Sequence, residues 1–314
     1  RSIWVTGVQT CALPICIGIV EIGRGTENVA SIMSAADIAC YAAKDEGRNR
    51  IHVYESGGGS NRHREMHWVA RVTRAAEENR LELHFQPIIA VGSREKPHFH
   101  ELTVRLRDDD GQLILPGEFI PAAERYNVMA AIDRWVVLQA VELLRRRRDR
   151  AGPDLLLAVN LSGTSLNDQA FVDFVMNETG DPSIAGGLCF EITETAAVTN
   201  LANATYFMRE LKARGCKFAL DDFGSGLSSF VYLKTLPVDF LKIDGQFIGD
   251  IARDPIDRSM VEAIGKVGKA LGIHTVAECV ETADVLAELS NLGVDYAQGF
   301  FIARPRPVSE LEKG

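Results

Sequence analysis

Short apolar runs and amphipathic segments alternate along most of the chain. Seven runs have the length of buried strands, and they cover residues 81–89, 155–161, 188–192, 218–220, 240–243, 274–277 and 296–302. Segments between them, such as 203–214, 257–271 and 283–292, repeat apolar residues at helical spacing. Strands that alternate with helices predict an α/β protein with a mainly parallel sheet. The number of units over residues 65–314 favours a (β/α)8 TIM-like barrel.

The chain before residue 65 is organised differently. Residues 1–16 fit neither the pattern of the later chain nor that of a signal peptide, so we expect them to be a non-native leader, with the native N-terminus upstream. Residues 17–55 have the pattern of strand, helix and strand, which predicts a small truncated α/β segment before the barrel. Residues 56–64 hold three consecutive glycines between serines and predict a flexible linker.

Composition narrows the class of protein. The 314 residues are 46% hydrophobic and 25% charged, which excludes wholesale disorder and a disulfide miniprotein. Every long apolar run is broken by charge, Gly or Pro, so no membrane segment is expected. The six cysteines form no C-x-x-C pair, and we expect reduced thiols in a cytoplasmic protein, although a part upstream could carry a membrane anchor.

The charge balance bears on the substrate. Lys and Arg number 34 against 43 Asp and Glu, giving a net charge of −9. Such a chain is a poor candidate for binding DNA, which requires a basic face. If the substrate is an anion, metal ions are expected to attract it.

Polar side chains stand at the end of one predicted strand after another. The set comprises Asn160, Glu191, Glu194, Asp221, Asp222, Lys242, Asp244, Glu278, Glu281 and Gln298. Since a barrel carries its chemistry at the C-terminal ends of its strands, we expect these groups to meet there. Clustered carboxylates repel one another unless a cation neutralises them, and all-oxygen ligands suit Mg²⁺ or Mn²⁺. A pair of such ions is the usual solution for phosphodiester hydrolysis.

Single members of this set have simpler explanations. An Asp or Glu after a strand is more often a turn or helix-capping residue than a ligand. That interpretation stays open for Asp222, Asp244, Glu194 and Glu281 taken one at a time, but it does not account for the whole series.

Two stretches carry resemblances to known families. Residues 35–54, AADIACYAAKDEGRNRIHVY, resemble the C-terminal end of a GGDEF (diguanylate cyclase) domain, but the GGDEF loop is lacking, so no cyclase activity is expected. Residues 65–314 contain eight short motifs: FQPI (85–88), ELTVR (101–105), VNLS (159–162), EITE (191–194), DDFGSG (221–226), LKID (241–244), AECVE (277–281) and AQGF (297–300). In order and spacing these motifs resemble those of an EAL domain, the cyclic-di-GMP phosphodiesterase family.

The EAL resemblance implies a function and its cofactors. The expected reaction is hydrolysis of cyclic-di-GMP to linear pGpG with two Mg²⁺ or Mn²⁺ ions, which lowers the level of a bacterial second messenger. By analogy, a homodimer through the region after Asp222 is also expected.

The resemblance also implies roles for individual residues. Glu101, Asn160, Glu191 and Asp221 would hold one metal, with Asp221 shared, and Asp222 would hold the second. Glu278 would complete the site through a metal or its water. Lys242 would position or deprotonate the attacking water, with a pKa lowered by the metals. Glu194 would hold the DDFGSG loop, and the dinucleotide would be contacted by Gln86, Arg105 and Gln298.

The chain departs from the family pattern at three places. Leu102 and Thr103 replace the last two residues of the EAL tripeptide, and Thr103 shares a strand face with Glu101. Cys279 replaces a glycine, so a positive φ there would shift Glu278. Leu227 stands at an often aromatic position.

Three other functions compete with hydrolysis. A catalytically inactive EAL-like module would bind cyclic-di-GMP or a protein partner. A different barrel enzyme would be a Schiff-base aldolase using Lys242 or a metal-dependent enolase-type enzyme. The aldolase is disfavoured, because the surrounding acids raise a lysine pKa unless metals offset them. A kinase, suggested by D-F-G at 222–224, is excluded because no H-R-D motif accompanies it.

Overall fold

The computed structural model describes residues 17–20, 51–54, 68, 71–72, 75, 78, 80–93, 95, 97–108, 111–126, 128–147, 155–224 and 231–311. The chain divides into two units, Arg1–Trp68 and Val69–Gly314. The predicted leader 1–16, the helical pattern within 17–55 and the linker 56–64 lie outside the described residues. In the first unit, β1 (Ile17–Val20) and β2 (Ile51–Tyr54) pair in parallel, with Ile17 opposite Ile51. These are the two strands expected from the sequence.

The second unit contains a closed barrel of eight strands. Its described strands are β3 (Leu81–Ala90), β4 (Phe99–Arg107), β5 (Leu113–Ile114), β6 (Leu156–Asn160), β7 (Leu188–Thr193), β8 (Lys217–Phe223), β9 (Phe240–Ile243), β10 (His274–Ala277), β11 (Tyr296–Ala297) and β12 (Arg306–Pro307). Around the ring the order is β3, β11, β10, β9, β8, β7, β6 and β4, and pairing of β4 with β3 closes it. The short strands β5 and β12 pair with β4 and β3. The predicted TIM-like barrel is confirmed.

Helices follow most of the strands. The described helices are α1 (Pro116–Arg125), α2 (Met129–Arg147), α3 (Gln169–Glu178), α4 (Pro182–Ala185), α5 (Glu194–Thr199), α6 (Leu201–Lys212), α7 (Pro255–Leu271), α8 (Ala283–Leu292) and α9 (Val308–Leu311). The start of α7 illustrates how the sequence sets these bounds: Asp254 accepts a hydrogen bond from the Ile256 N–H at 2.7 Å, and Gly272 ends the helix with φ 71°. Among these helices, none is both long and apolar enough to cross a membrane.

One barrel strand runs against the others. Strand β3 is antiparallel to both β4 and β11, whereas the remaining neighbours around the ring are parallel. Only residues 91–98 connect β3 to β4, which is too short for the crossover that a parallel pair requires. As a result, Gln86 on β3 lies directly opposite Glu101 on β4.

Two strand predictions need correction. Strand β4 was absent from the apolar runs, because polar residues at 100, 101, 103 and 105 interrupt its pattern. The run 296–302 was predicted as one strand, but β11 ends at Ala297. There the chain turns, since the N–H of Phe301 donates to the Val280 carbonyl and the N–H of Ile302 donates to the Gly299 carbonyl.

The barrel interior is apolar towards the N-terminal ends of the parallel strands and polar towards their C-terminal ends. A buried cluster fills the apolar part, formed by Ile88, Phe99, Leu156, Ala158, Cys189, Ala219, Phe240 and Val276. Residues two positions apart on a strand face the same side. Glu101 therefore follows Phe99 into the interior, and Lys242 follows Phe240. The polar side chains predicted at the strand ends thus stand on an apolar layer.

Gly299 gives a test of the turn after β11. A Cβ at this position would lie 2.2 Å from the backbone N and O atoms of Val280, so backbone would have to move. We expect Gly299→Ala to lower the free energy of unfolding by about 1–3 kcal/mol, measured by urea denaturation.

Gly265→Ala in α7 is the matched control, because a Cβ there meets nothing within 4 Å. It should leave stability unchanged or raise it by up to about 1 kcal/mol, since alanine favours helix. A Gly299→Ala protein as stable as the wild type would contradict the close approach to Val280.

Candidate active site

Four carboxylates, carried by β4, β7, β8 and the residue after β10, surround the ammonium of Lys242 on β9. Its Nζ lies 2.8 Å from Glu278 Oε1 and 3.0 Å from Glu191 Oε2. It lies 3.1 Å from Asp221 Oδ1 and 3.6 Å from Glu101 Oε2. The lysine side chain is only 2% exposed. The structure therefore brings together five of the residues expected at the barrel mouth.

These acids determine the charge of the lysine. Burial alone would lower the pKa of Lys242, but Asp221 and Glu101, together with the other two carboxylates, raise it well above the usual value. In this arrangement Lys242 is a charged hydrogen-bond donor. The lowered Lys242 pKa expected from the sequence requires bound metal ions; without them the pKa is raised.

One ammonium does not neutralise the cluster. Burial raises the pKa of Glu278 to about 7, with Asp221 and Glu101 adding to the effect while Lys242 opposes it. Burial likewise raises the pKa of Glu191 well above its usual value. Four carboxyl groups thus share one ammonium, and further cations would favour their ionised forms.

Amide side chains orient Glu101 on β4. Its Oε1 accepts a hydrogen bond from Asn160 Nδ2 at 2.8 Å, and its Oε2 accepts one from Gln298 Nε2 at 2.6 Å. Gln298 Nε2 also donates to Gln86 Oε1 at 3.2 Å, and Gln86 Nε2 donates to the Ala303 carbonyl at 2.9 Å. Residues from β3, β4 and β6 and the residue after β11 are thereby tied together.

Asp221 and Asp222 reach the same site although they are adjacent. In a regular strand, neighbouring side chains point to opposite faces. Here the register of β8 against β9 shifts between Leu220 and Phe223, and Asp222 has a left-handed φ of 54°. Ligand oxygens of Asp221, Asp222 and Glu278 all lie within 4.8 Å of one another. The strand irregularity thus allows both aspartates to contribute to one group.

The donor set fits a divalent cation. It consists of oxygens, which suits Mg²⁺ or Mn²⁺ rather than a softer metal. In the described part of the chain, the buried Oε1 of Glu191 has no hydrogen-bond partner, so one carboxylate oxygen is left for another ligand. The residues present can therefore hold the expected ions.

Glu194 lies apart from the group around Lys242. It is the first residue of α5, and its Oε2 accepts a hydrogen bond from the Gly224 N–H at 3.2 Å, while its Oε1 accepts one from the Tyr232 hydroxyl. Gly224 belongs to the DDFGSG motif, whose last two residues lie outside the described part. Tyr232 was not found from the sequence, because no motif contains it.

A cavity of about 380 Å³ opens beside the carboxylates. Its polar lining includes Gln86, Glu101, Arg105, Glu278 and Gln298. Apolar lining comes from Leu115, from Pro116 at the start of α1, from Phe300 and from Pro305, and of these only Phe300 belongs to a sequence motif. Arg105 Nη1 donates to the Val104 carbonyl at 2.9 Å. The cavity thus combines charged, amide and apolar surfaces.

Two departures from the family pattern also line this cavity. Cys279 has a φ of 53°, so the position does require the left-handed backbone that glycine adopts readily. Its thiol packs against Gly245, where a Cβ would come within 2.6 Å of Cys279 Sγ. Thr103 is the second departure, and its buried hydroxyl has no hydrogen-bond partner in the described part of the chain.

Comparison with known proteins gives concordant matches. Residues 69–305 match the family model of the EAL domain. Cyclic di-GMP phosphodiesterase PdeB of Shewanella oneidensis is 37% identical over 313 residues, which cover 98% of this chain and 36% of PdeB. The chain therefore spans about a third of that relative.

Solved structures show the same fold. The PaMucR phosphodiesterase in complex with c-di-GMP has a TM-score of 0.72 and 34% identity, covering 78% of this chain and 99% of that one. The FimX EAL domain from Pseudomonas aeruginosa bound to c-di-GMP has a TM-score of 0.67 and 30% identity, covering 76% and 96%.

The raised pKa of Glu278 predicts how stability depends on pH. Its carboxyl titrates near the ordinary 4.5 when unfolded and at about 7 when folded, so the unfolded chain loses this proton first. In a buffer with chelator, stability should therefore fall as the pH rises through this interval. The melting temperature measured across the interval should show a smaller fall in Glu278→Gln.

Glu281→Gln is the control, since it makes the same change at an exposed carboxyl of the same loop. It should show the full wild-type fall. Equal falls in Glu278→Gln and the wild type would show that Glu278 is not responsible.

Proposed function

The chain belongs to the EAL domain family, and on this premise we propose that its barrel hydrolyses cyclic di-GMP to linear pGpG, lowering the level of a bacterial second messenger. The observation that carries the proposal is the convergence of four carboxylates on Lys242 beside a cavity of about 380 Å³. A cavity of this size is within the usual range for small-molecule sites. PdeB and MucR, both named as cyclic di-GMP phosphodiesterases, support the substrate.

We assign the ligands of two divalent ions as the motifs suggest. Glu101, Asn160, Glu191 and Asp221 would hold one ion, Asp221 and Asp222 the other, and Glu278 would complete the site directly or through water. Two Mg²⁺ or Mn²⁺ ions, when bound, would supply positive charge for an attacking water and for the phosphate.

The substrate is held by side chains of the cavity. Arg105 would pair with a phosphate, as guanidinium groups do, and Gln86 and Gln298 would hydrogen-bond the dinucleotide. Burial lowers the pKa of Arg105, and the nearby Glu101 carboxylate partly offsets this effect. The guanidinium stays a cation at neutral pH. The apolar faces of Phe300 and Pro305 suit a nucleobase.

Lys242 and Glu278 would both interact with the attacking water. Lys242 would donate a hydrogen bond that positions the water, or would deprotonate it where bound ions lower the raised pKa that the lysine has without them. Glu278, whose Oε1 lies 2.8 Å from Lys242 Nζ, would accept a proton from the same water. The water oxygen bonds to phosphorus, the P–O3′ bond breaks, and the 3′ oxygen takes up a proton. The product is a linear dinucleotide with a 5′ phosphate.

Further proposals concern the rest of the chain. Residues 17–55 would be the C-terminal remnant of a GGDEF domain. This is supported by the alignment with PdeB over 98% of the chain and by the name of MucR, a bifunctional diguanylate cyclase/cyclic di-GMP phosphodiesterase. The boundaries 1–16, 17–55, 56–64 and 65–314 are proposed with it.

The free thiols of Cys189 and Cys216 support a cytoplasmic location. A homodimer through the region after Asp222 stays a prediction, since residues 225–230 lie outside the described part.

Hydrolysis assays on purified protein test the proposal. With Mg²⁺ or Mn²⁺ the wild type should convert cyclic di-GMP to pGpG, and chelator should stop the reaction. Glu101→Ala and Asp221→Ala should each lose at least about a hundredfold in kcat/KM, because each removes a metal ligand. Lys242→Ala should lose turnover but still bind the dinucleotide in a calorimetric titration.

The matched control is Asp284→Asn, which removes a carboxylate from the exposed first turn of α8 and should retain wild-type activity. Wild-type rates in Asp221→Ala would refute the metal assignment. A wild type that binds cyclic di-GMP without cleaving it would instead identify the chain as an inactive EAL-like receptor.

A further inference from the structure

Helix α2 carries a buried carboxylate that the proposed mechanism does not use. Asp133 is 2% exposed, and among the described residues no lysine, arginine or histidine forms an ion pair with it. Its Oδ2 accepts three hydrogen bonds, from the Ser162 N–H at 3.0 Å, the Ser162 hydroxyl at 2.7 Å and the Ser165 hydroxyl at 2.7 Å. One oxygen atom thus holds the segment that comes after β6.

This carboxylate is costly where it lies. Burial raises the pKa of Asp133 to about 6, although the hydrogen bonds from Ser165 and Ser162 lower it. The neighbouring residues Ile132, Val136 and Val137 are buried and apolar, and another apolar side chain would pack here without desolvating a charge. The reason for a carboxylate at position 133 is therefore sought in its hydrogen bonds to Ser162 and Ser165.

That segment, residues 161–165, is joined into a compact turn by hydroxyl groups. Ser162 Oγ donates its proton to Asp133, accepts from Thr164 Oγ1 at 2.9 Å and from the Ser165 N–H at 3.2 Å, and lies 3.1 Å from Ser165 Oγ. At its start, the Leu161 N–H donates to the Glu191 carbonyl at 2.8 Å. The turn is thus fixed to β7 on one side and to α2 on the other.

The residue before this turn is Asn160, an assigned metal ligand. Its side chain has one described hydrogen bond, from Nδ2 to Glu101 Oε1 at 2.8 Å. A second cavity of about 300 Å³ borders Asn160, and Asp133 and Ser162 line it too. Because open space lies on this side, close packing does not fix the Asn160 amide there, and its place depends on the backbone of the turn.

We propose that Asp133 is a positioning residue, whose Oδ2 fixes the 161–165 turn and thereby places the Asn160 amide beside Glu101 for cation binding. The inference rests on the proposed function in that Asn160 is taken as a metal ligand. It adds a residue from α2, far from every motif in the sequence, to the machinery of the site.

Titration of the full chain with Mn²⁺ alone tests this, with the melting temperature measured for each variant. Asp133→Ala should weaken Mn²⁺ affinity about tenfold, a loss typical of residues that orient a metal ligand. Asp133→Asn keeps an acceptor oxygen and should stay within about threefold of the wild type. The control Val137→Ala truncates a buried side chain of the same helix, so it should lower the melting temperature and leave Mn²⁺ affinity unchanged.

The possible outcomes separate this inference from the proposed function. If the wild type binds Mn²⁺ and Asp133→Ala binds it equally well, the positioning role is wrong and the metal site stands. If Asp133→Asn is as weak as Asp133→Ala, the acceptor role is wrong. A wild type that binds no Mn²⁺ overturns the metal site and the inference together. If Asp133→Ala does not fold, Ser165→Ala decides, since unchanged affinity after loss of that one hydrogen bond would overturn the proposal.

Discussion

The ammonium of Lys242 offsets the repulsion between four carboxylates near the C-terminal ends of the barrel strands. Four acids delivered by separate strands would repel one another without it, and the apolar layer beneath them strengthens every charge interaction by excluding water. A buried ion cluster of this kind contributes little net stability, because desolvating the charges offsets their attraction. Its value lies in geometry: the strands can end in carboxylates and still close into one barrel.

Much of the fold could be predicted because a buried strand and an amphipathic helix leave different periods in the sequence. The runs 240–243 and 274–277 coincide with β9 and β10, and the helical pattern at 283–292 coincides with α8. Strand direction leaves no such period, so the antiparallel course of β3 was not predicted. The apolar runs missed strand β4, because its inward face carries polar groups of the site that interrupt the pattern; a strand around Glu101 was expected from the ELTVR motif alone.

Site residues on strands could be predicted from the sequence, whereas site residues on the connecting segments could not. Asn160 ends β6 and Glu191 lies in the C-terminal half of β7, so their positions after apolar residues place them towards the C-terminal end of the barrel. Leu115 and Tyr232 arrive through connections whose paths depend on tertiary packing, so nothing in the local sequence marked them. Asp133 is an intermediate case. A charged residue among apolar neighbours on a helix was visible, but the serines that explain it lie about thirty residues away.

The antiparallel strand β3 has a consequence for how the chain is made. It is the first barrel strand to leave the ribosome, yet two of its partners, β11 and β12, are the last barrel strands to emerge. Until then, one edge of β3 lacks its native partner, and unpaired edges invite mispairing with other chains. The ring therefore closes only after β11 has been synthesised, and the hydrogen bond between Gln298 and Gln86 crosses the seam where it closes.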